Sequence, residues 1–248
     1  MKKRADILAV ERSLAESRQK AQALILAGQL YSGERRIEKP GQLVPGDLPL
    51  EVRGPKCPFV SRGGLKLDGA IEDLGLDVGG LGCLDVGAST GGFTDCLLKR
   101  GASRVVALDV GHGQLDGRLK SDPRVTAIEG FNARYLEPES LPFPPSLVVV
   151  DASFISLKLL LPAIARSAPE ARLLAMVKPQ FEVGKGRVGR GGVVRNEQDQ
   201  IAAVEEVAAA ARLMEYTVEG VAKSRLKGPK GNQEYFILLA PGKKGAPK

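Results

Sequence analysis

Hydrophobic positions change their period about a quarter of the way along the chain. In the first part, Ile7, Leu8, Val10 and Leu14, then Ala21, Leu24 and Ile25, recur at the spacing of one helix face. Ser17 can cap the second helix, and Gly28 falls where a left-handed residue ends it. QLYSGERRI then reads as two short strands about a Ser32–Gly33 turn, and KPGQLVPGD as turn, strand and turn. Two helices followed by small strands predict a compact α+β domain over residues 1–52. The Pro/Gly-rich, basic stretch RGPKCPFVSRGG (53–64) reads as a linker.

From about residue 65 apolar strands alternate with helices. The strand segments are GCLDVG (82–87), RVVALDV (104–110), VTAIEG (125–130), SLVVVD (146–151), ARLLAMVK (171–178), TVEGVA (217–222) and EYFILLA (234–240). Helical patterns occupy 66–74, 92–100, 157–167 and 199–213. This alternation predicts an α/β domain over 65–242: a parallel, Rossmann-like sheet covered on both faces and closed by the last two strands. A short basic tail, 243–248, follows.

Composition narrows the classes. With 43% apolar and 26% charged residues, the chain is an ordinary globular sequence. No apolar run approaches the roughly 20 residues of a membrane span. Charges interrupt the N-terminal MKKRADILAVERSL where a signal peptide would be apolar, so a cytoplasmic protein is expected. Cys57, Cys83 and Cys96 have no paired spacing, and His112 is the sole histidine. A zinc cluster, a disulfide framework and histidine-based nucleophilic catalysis are therefore disfavoured, and no metal is expected. Residues 1–66 hold 13 Lys/Arg against 7 Asp/Glu, and residues 67–248 hold 23 against 22. A basic domain beside a near-neutral one fits a polyanion-binding module, nucleic acid being the commonest polyanion. A solvated basic surface without a partner is the plainer alternative.

The densest signal is CLDVGASTGGFTDCL (83–97), a strand, a glycine turn and a helix. Asp85, Gly87, Ala88, Ser89, Thr90, Gly91, Gly92 and Phe93 form the first βα turn, where open α/β sheets bind ligands. It is neither the dinucleotide pattern G-x-G-x-x-G nor a P-loop. Asp85 would repel a pyrophosphate but could pair with an ammonium group. Asp109, followed by Val110, ends the next strand, where an acid commonly takes a ribose hydroxyl. A ligand with ribose, adenine and a cationic amino-acid part satisfies both: S-adenosylmethionine. Adenine contacts are expected between Glu129 and Asn132. A purely structural turn, or an NAD or FAD site, remain the alternatives.

Two further strands end in charge at the same edge: Asp151 in VVVDASF and Lys178 in AMVKPQF. An ammonium beside a carboxylate in a partly dry cleft is a candidate for handling a hydroxyl proton, and Asp151 also borders the cofactor. Lys66 and Glu234 are, by position alone, an exposed helix lysine and an edge-strand acid. The glycine-rich basic loops 185–195 and 223–230 should rim the site and move over it, which suits a phosphate-bearing substrate. Candidate nucleic-acid contacts are Arg4, Ser17, Arg18, Lys20, Arg35, Arg36, Lys39 and Arg62, with Lys185, Arg187, Arg190, Lys223, Arg225 and Lys227 from the loops. Tyr31, Phe59, Phe154 and Phe181 could stack on bases, although packing is the commoner use of an aromatic.

Taken together, VSRGGLKL, LDVGASTGGFTDCLL, ALDVGHGQL, VVVDASFISL and VKPQFEVGKG resemble the successive motifs of the TlyA-type rRNA 2′-O-methyltransferases, a family also labelled haemolysin A. SRQKAQALILAG and SGERRIEKPG resemble its S4 RNA-binding module, which precedes an FtsJ-like methyltransferase domain. The resemblance implies that Lys66, Asp151, Lys178 and Glu234 form the Lys-Asp-Lys-Glu tetrad of ribose methyltransferases. Lys178 would then deprotonate or steer the 2′-hydroxyl while the others hold it in line with the cofactor methyl. It also implies ribosomal RNA or ribosomal subunits as partner, with cytidine sites in the large subunit and, in longer members, the small one. Ser32-Gly33, His112 and Asp116-Gly117 depart from the family's usual residues. The alternative is a non-catalytic ribosome assembly factor on a methyltransferase scaffold. A membrane haemolysin is disfavoured by the lack of a span and by the Ala-rich, acidic helix at 199–213.

Overall fold

The seven strands of the largest sheet run in the order 217–222, 234–240, 171–178, 146–151, 82–87, 104–110 and 125–130 when named by their expected segments. The computed structural model describes residues 2–15, 17–26, 28–53 and 57–242, with Lys185 described by its backbone alone. The expected tail 243–248 and residues 54–56 of the expected linker lie outside these. The chain divides into two compact units, Met1–Pro58 and Phe59–Lys248.

The first unit contains β1 (Lys2–Arg4), α1 (Ala5–Glu11), α2 (Arg18–Leu26), β2 (Leu30–Ser32), β3 (Arg35–Arg36), β4 (Leu43–Pro45) and β5 (Glu51–Val52). β1 pairs antiparallel with β4, and β2 lies between β3 and β5. β1 was not foreseen, because Lys2, Lys3 and Arg4 carry no apolar alternation. Ser17 Oγ accepts from Lys20 N at 3.2 Å, so it caps α2. Gly28, at φ +71°, ends that helix while its N–H donates to the Ile25 carbonyl. Ser32 pairs with Arg35, which places the two-residue turn at Gly33–Glu34, one residue beyond the expected position. Leu8, Ala21, Ile25, Leu30, Ile37 and Val44 form the core.

The second unit contains α3 (Arg62–Asp73), β6 (Gly82–Val86), α4 (Gly92–Lys99), β7 (Arg104–Asp109), α5 (Gly117–Lys120), β8 (Val125–Glu129), β9 (Leu147–Val150), α6 (Leu161–Ser167), β10 (Arg172–Val177), α7 (Pro179–Glu182), α8 (Glu197–Arg212), β11 (Tyr216–Lys223) and β12 (Tyr235–Pro241). α3 begins at Arg62, so the end of the expected linker is helical. The expected helix at 157–167 is a 3₁₀ turn, Leu157–Leu159, followed by α6 with a proline in its first turn. Pro162 has no N–H to continue a ladder, so the helix restarts there.

The parallel closure expected of the sheet is corrected to a mixed one. β8, β7, β6, β9 and β10 are parallel, but β12 inserts antiparallel between β10 and β11. The reason is the connection: the segment from β11 to β12 contains no helix, and a parallel return needs a crossover. The sheet buries Leu84, Val106, Val148 and Ile237 on one face, and Cys83, Val149 and Phe236 on the other, where Leu67 of α3 packs against them. Phe236 is fully buried and lies 6.1 Å, ring to ring, from Phe93 of α4. Truncating it leaves a cavity at the centre of that layer. Phe236→Ala is expected to lower unfolding free energy by about 3–5 kcal/mol, read as the shift of a urea denaturation curve.

Candidate active site

Sheet order decides which side chains meet. β9, β10 and β12 are neighbours, so Asp151 and Lys178, just past the ends of β9 and β10, share an edge with Glu234, just before β12. Val177 pairs with Tyr235, which sets Lys178 and Glu234 one step further along the same register. A parallel β12 would have sent Glu234 to the opposite edge. Lys66, from α3, donates to Glu234 Oε2 at 2.5 Å. Lys178 Nζ stands 2.5 Å from Asp151 Oδ1 and donates to Ser153 Oγ at 2.8 Å. Lys66, Lys178 and Glu234 are all buried, and Asp151 is the member most open to solvent. Two ion pairs thus stand at one strand edge, neither left as a lone buried charge.

The glycine turn borders a cavity of about 490 Å³ beside this edge, within the usual range for cofactor sites. Gly87, Ser89, Asp109, Val110, Asn132 and Asp151 line it, with Phe131 from the same Glu129–Asn132 stretch, and so do Gln114, Ser153 and Phe154, which sequence reasoning did not assign to the cofactor. Gly87 has φ +86°, and a Cβ there would stand 2.7 Å from the Asp151 carbonyl oxygen, so only glycine fits. Ser89 takes the left-handed conformation at φ +47° without being glycine. Asp109 holds it there: its carboxylate accepts from Ser89 N and from Gly111 N, both at 2.7 Å. Each of its oxygens retains a lone pair for a ribose hydroxyl.

Asp85 lies beneath the turn, fully buried, and accepts from Thr94 Oγ1 at 2.7 Å. Its Oδ1 has no hydrogen-bond partner. Burial pushes its carboxyl up to about 7, against the Thr94 hydrogen bond, and nearby Asp151 adds to the rise. An orphaned buried carboxylate oxygen under a glycine cradle is what an ammonium-bearing cofactor would complete. The donor set therefore fits S-adenosylmethionine.

Other expected cofactor contacts lie elsewhere. Gly92 faces α3, where a Cβ would stand 2.2 Å from Ser61 Oγ, and Phe93 packs in the core. Ala88 and Glu129 line a recess of about 10 Å³ that shares Ser89, Asp109 and Gln114 with the larger cavity, and Glu129 pairs with Lys120 at 3.2 Å. Thr90 does not line the 490 Å³ cavity. His112 lies against Gly130, where a Cβ would stand 2.4 Å from the ring, and Asp116 caps α5 by accepting from Arg118 N at 3.0 Å.

Two aromatics mark the mouth. Phe154 is 90% exposed with φ +67°, and its ring lies 5.4 Å from that of Phe181. Glu182 joins their segments: its carboxylate accepts from Ser156 Oγ at 2.5 Å and from Leu157 N at 2.8 Å. Burial raises the Glu182 carboxyl from its ordinary range.

The basic candidates divide by pairing. In the first unit Arg4 and Arg18 both hold Asp6, at 2.9 and 3.0 Å. Asp6 also accepts from Gln22, and these donors, Arg4 foremost, hold its carboxyl far below the usual range. Arg35, Arg36 and Lys39 are exposed, while Ser17 serves as a cap. In the second unit Arg187 pairs with Glu206 at 2.9 Å, and Arg225 with Glu72 and Asp73 at 2.8 and 2.6 Å. Arg190, Lys223 and Lys227 are exposed, and Arg62 opens α3. The Lys185 side chain lies outside the described residues.

A Rossmann-like sheet with an antiparallel penultimate position, a glycine turn over a buried acid and four converging charges define a class. The FtsJ-like methyltransferase family model matches residues 59–240. The 16S/23S rRNA (cytidine-2′-O)-methyltransferase TlyA of Mycobacterium tuberculosis is 48% identical over 238 residues, 95% of this chain and 89% of that protein. A presumed hemolysin of Streptococcus thermophilus has a solved structure 39% identical, with TM-score 0.78, covering 98% of this chain and 89% of that one. An S-adenosylmethionine-dependent methyltransferase from Mesorhizobium loti, 15% identical with TM-score 0.51, covers 69% and 95% and shares the fold. The chain belongs to the S-adenosylmethionine-dependent FtsJ-like methyltransferases, and within them to the TlyA-type family. Among the described residues, no helix is long and apolar enough to cross a membrane.

Asp85 gives a test of the cofactor's place. A carboxyl raised in the folded protein stabilises it below about pH 4, and that contribution is lost as pH rises through about 7. An ammonium at Oδ1 has the opposite preference, for the ionised acid. Cofactor affinity is therefore expected to rise roughly tenfold from pH 5.5 to 7, and Asp85→Asn to flatten this slope in calorimetric titrations.

Proposed function

We propose that the chain methylates the ribose 2′-hydroxyl of cytidines in ribosomal RNA. The observation that carries this is the pairing of Lys178 with Asp151 and of Lys66 with Glu234 at one strand edge beside the glycine turn. S-adenosylmethionine, when bound, supplies an activated methyl group on a good leaving group. The chain's part is to orient, dry and deprotonate the acceptor. The Lys178 ammonium has three donors; Ser153 takes one and the ion pair with Asp151 steers the group, leaving a donor for the ribose oxygen. Held so, the oxygen keeps a lone pair for the new C–O bond, and its proton passes to the Asp151 carboxylate, which unlike the ammonium has a lone pair to take it. Lys66 and Glu234 keep the neighbouring edge charged yet balanced, so that Lys178 has no second acid to turn to.

The substrate class rests on further features. Phe154, wet and strained at the cavity mouth, offers a face on which an unstacked base can lie. The relative from Mycobacterium tuberculosis is named for cytidine sites in both 16S and 23S rRNA. Residues 1–52, with their helix pair and the Arg4–Asp6–Arg18 set, are read as an S4-like RNA-binding module, and the protein as a cytoplasmic partner of ribosomal subunits. Subunits incubated with labelled cofactor, and mapped by nuclease-resistant dinucleotides, should carry the label on cytidine ribose; label on a base or on no RNA refutes the proposal.

Lys178→Ala is expected to abolish methyl transfer while cofactor affinity stays within about twofold, by turnover and calorimetry. Lys178→Arg separates steering from a need for the amine itself, since a guanidinium can still orient the oxygen beside Asp151: partial turnover marks steering, and none marks the amine. Phe154→Ala should raise KM for RNA roughly tenfold, the loss of one base-stacking contact of about 1–3 kcal/mol.

A further inference from the structure

A second cavity, sharing no lining residue with the first, encloses about 520 Å³ between the two basic loops. Arg195, Lys223, Lys227 and Lys230 line it, with Glu197 as its single carboxylate. These four cations form no ion pair with any described residue, unlike Arg187 and Arg225 on the same loops. Like charges gathered in a concavity repel one another unless an anion joins them.

The loops are nonetheless tied together. Asn232 is 2% exposed; its Oδ1 accepts from Val194 N at 2.9 Å and its Nδ2 donates to the Gly192 carbonyl at 2.8 Å. Gln200 Nε2 donates to the Val194 carbonyl at 2.9 Å, and Tyr235 OH donates to Gln200 Oε1 at 2.9 Å. Hydrogen bonds, one of them fully buried, thus tie the walls of the concavity together. The concavity also adjoins the tetrad: Gln233, on its wall, donates to the carbonyl of Glu234, whose carboxylate holds Lys66.

We propose that this cavity seats backbone phosphates of the RNA strand flanking the target ribose, an inference that rests on the RNA methyltransferase reading. Its lining has cations and amides but no aromatic ring, so it can hold charge without reading bases. Four donor-only groups about one volume of this size have room for more than one phosphate. The contribution is sequence-independent, and it fixes the strand beside Glu234 while Phe154 and the tetrad deal with the nucleotide itself.

The test uses the full-length double variant Arg195→Ala/Lys230→Ala with ribosomal RNA as probe. RNA affinity is expected to fall roughly tenfold, and the slope of log K against log salt to shrink by about 1.5–2, the signature of two lost phosphate contacts. KM for RNA should rise, while S-adenosylmethionine affinity, which also reports folding, is unchanged. Arg195→Lys/Lys230→Arg should restore the slope. Lys230→Gln alone gives about half the effect and serves if the double variant does not fold. An unchanged slope and KM in variants, with the native chain active, overturns this inference and leaves the enzyme reading intact. An inactive native chain whose slope still falls in the variants does the reverse. Saturable binding of inorganic phosphate below about 1 mM, lost in the variants with RNA binding untouched, marks a free-anion site and also overturns it.

Discussion

Charge that leaves water must find a partner, and this requirement organises the catalytic edge. Three of the four tetrad side chains are nearly dry, and removing one partner of such a pair leaves the other stranded at a cost of about 3–5 kcal/mol. The pairs are therefore structural as well as chemical. They exist because β12 runs against its neighbours and returns Glu234 to the edge where β9 and β10 end. Topology, rather than proximity in sequence, creates the site.

The cofactor side obeys a related constraint. The turn from β6 to α4 is held in shape by a carboxylate from the next strand, since Asp109 accepts the Ser89 N–H that a left-handed residue presents. The cradle is therefore preorganised, and the backbone strain at Ser89 is offset within the free protein. Beneath it Asp85 is kept without a full set of partners, which makes its protonation responsive to whatever sits above.

Much of this was legible in the sequence. The strand segments named all seven strands of the large sheet within a residue or two. The five inner ones, buried on both faces, read as continuous apolar runs, while the edge strands β8 and β11 are partly exposed and read more weakly. The glycine turn, Asp109 and the charges at strand ends were visible for the same reason: each follows such a run. The direction of β12 was not visible, since an apolar run has no polarity. Asn232 and Glu182 escaped notice because a buried polar residue in a loop leaves no periodic trace, and their roles arise only when distant segments meet. Gly92 and Phe93 looked like cofactor residues by adjacency to the turn. The helix had already rotated them toward α3.

Phe154 sets the demands of folding against those of substrate capture. Its ring buries almost nothing and its backbone sits where side chains are disfavoured, so the isolated protein would be more stable with glycine there. An improvement in thermal tolerance at that position would be bought with a blunted grip on nucleic acid, and selection for robustness alone would erase the residue.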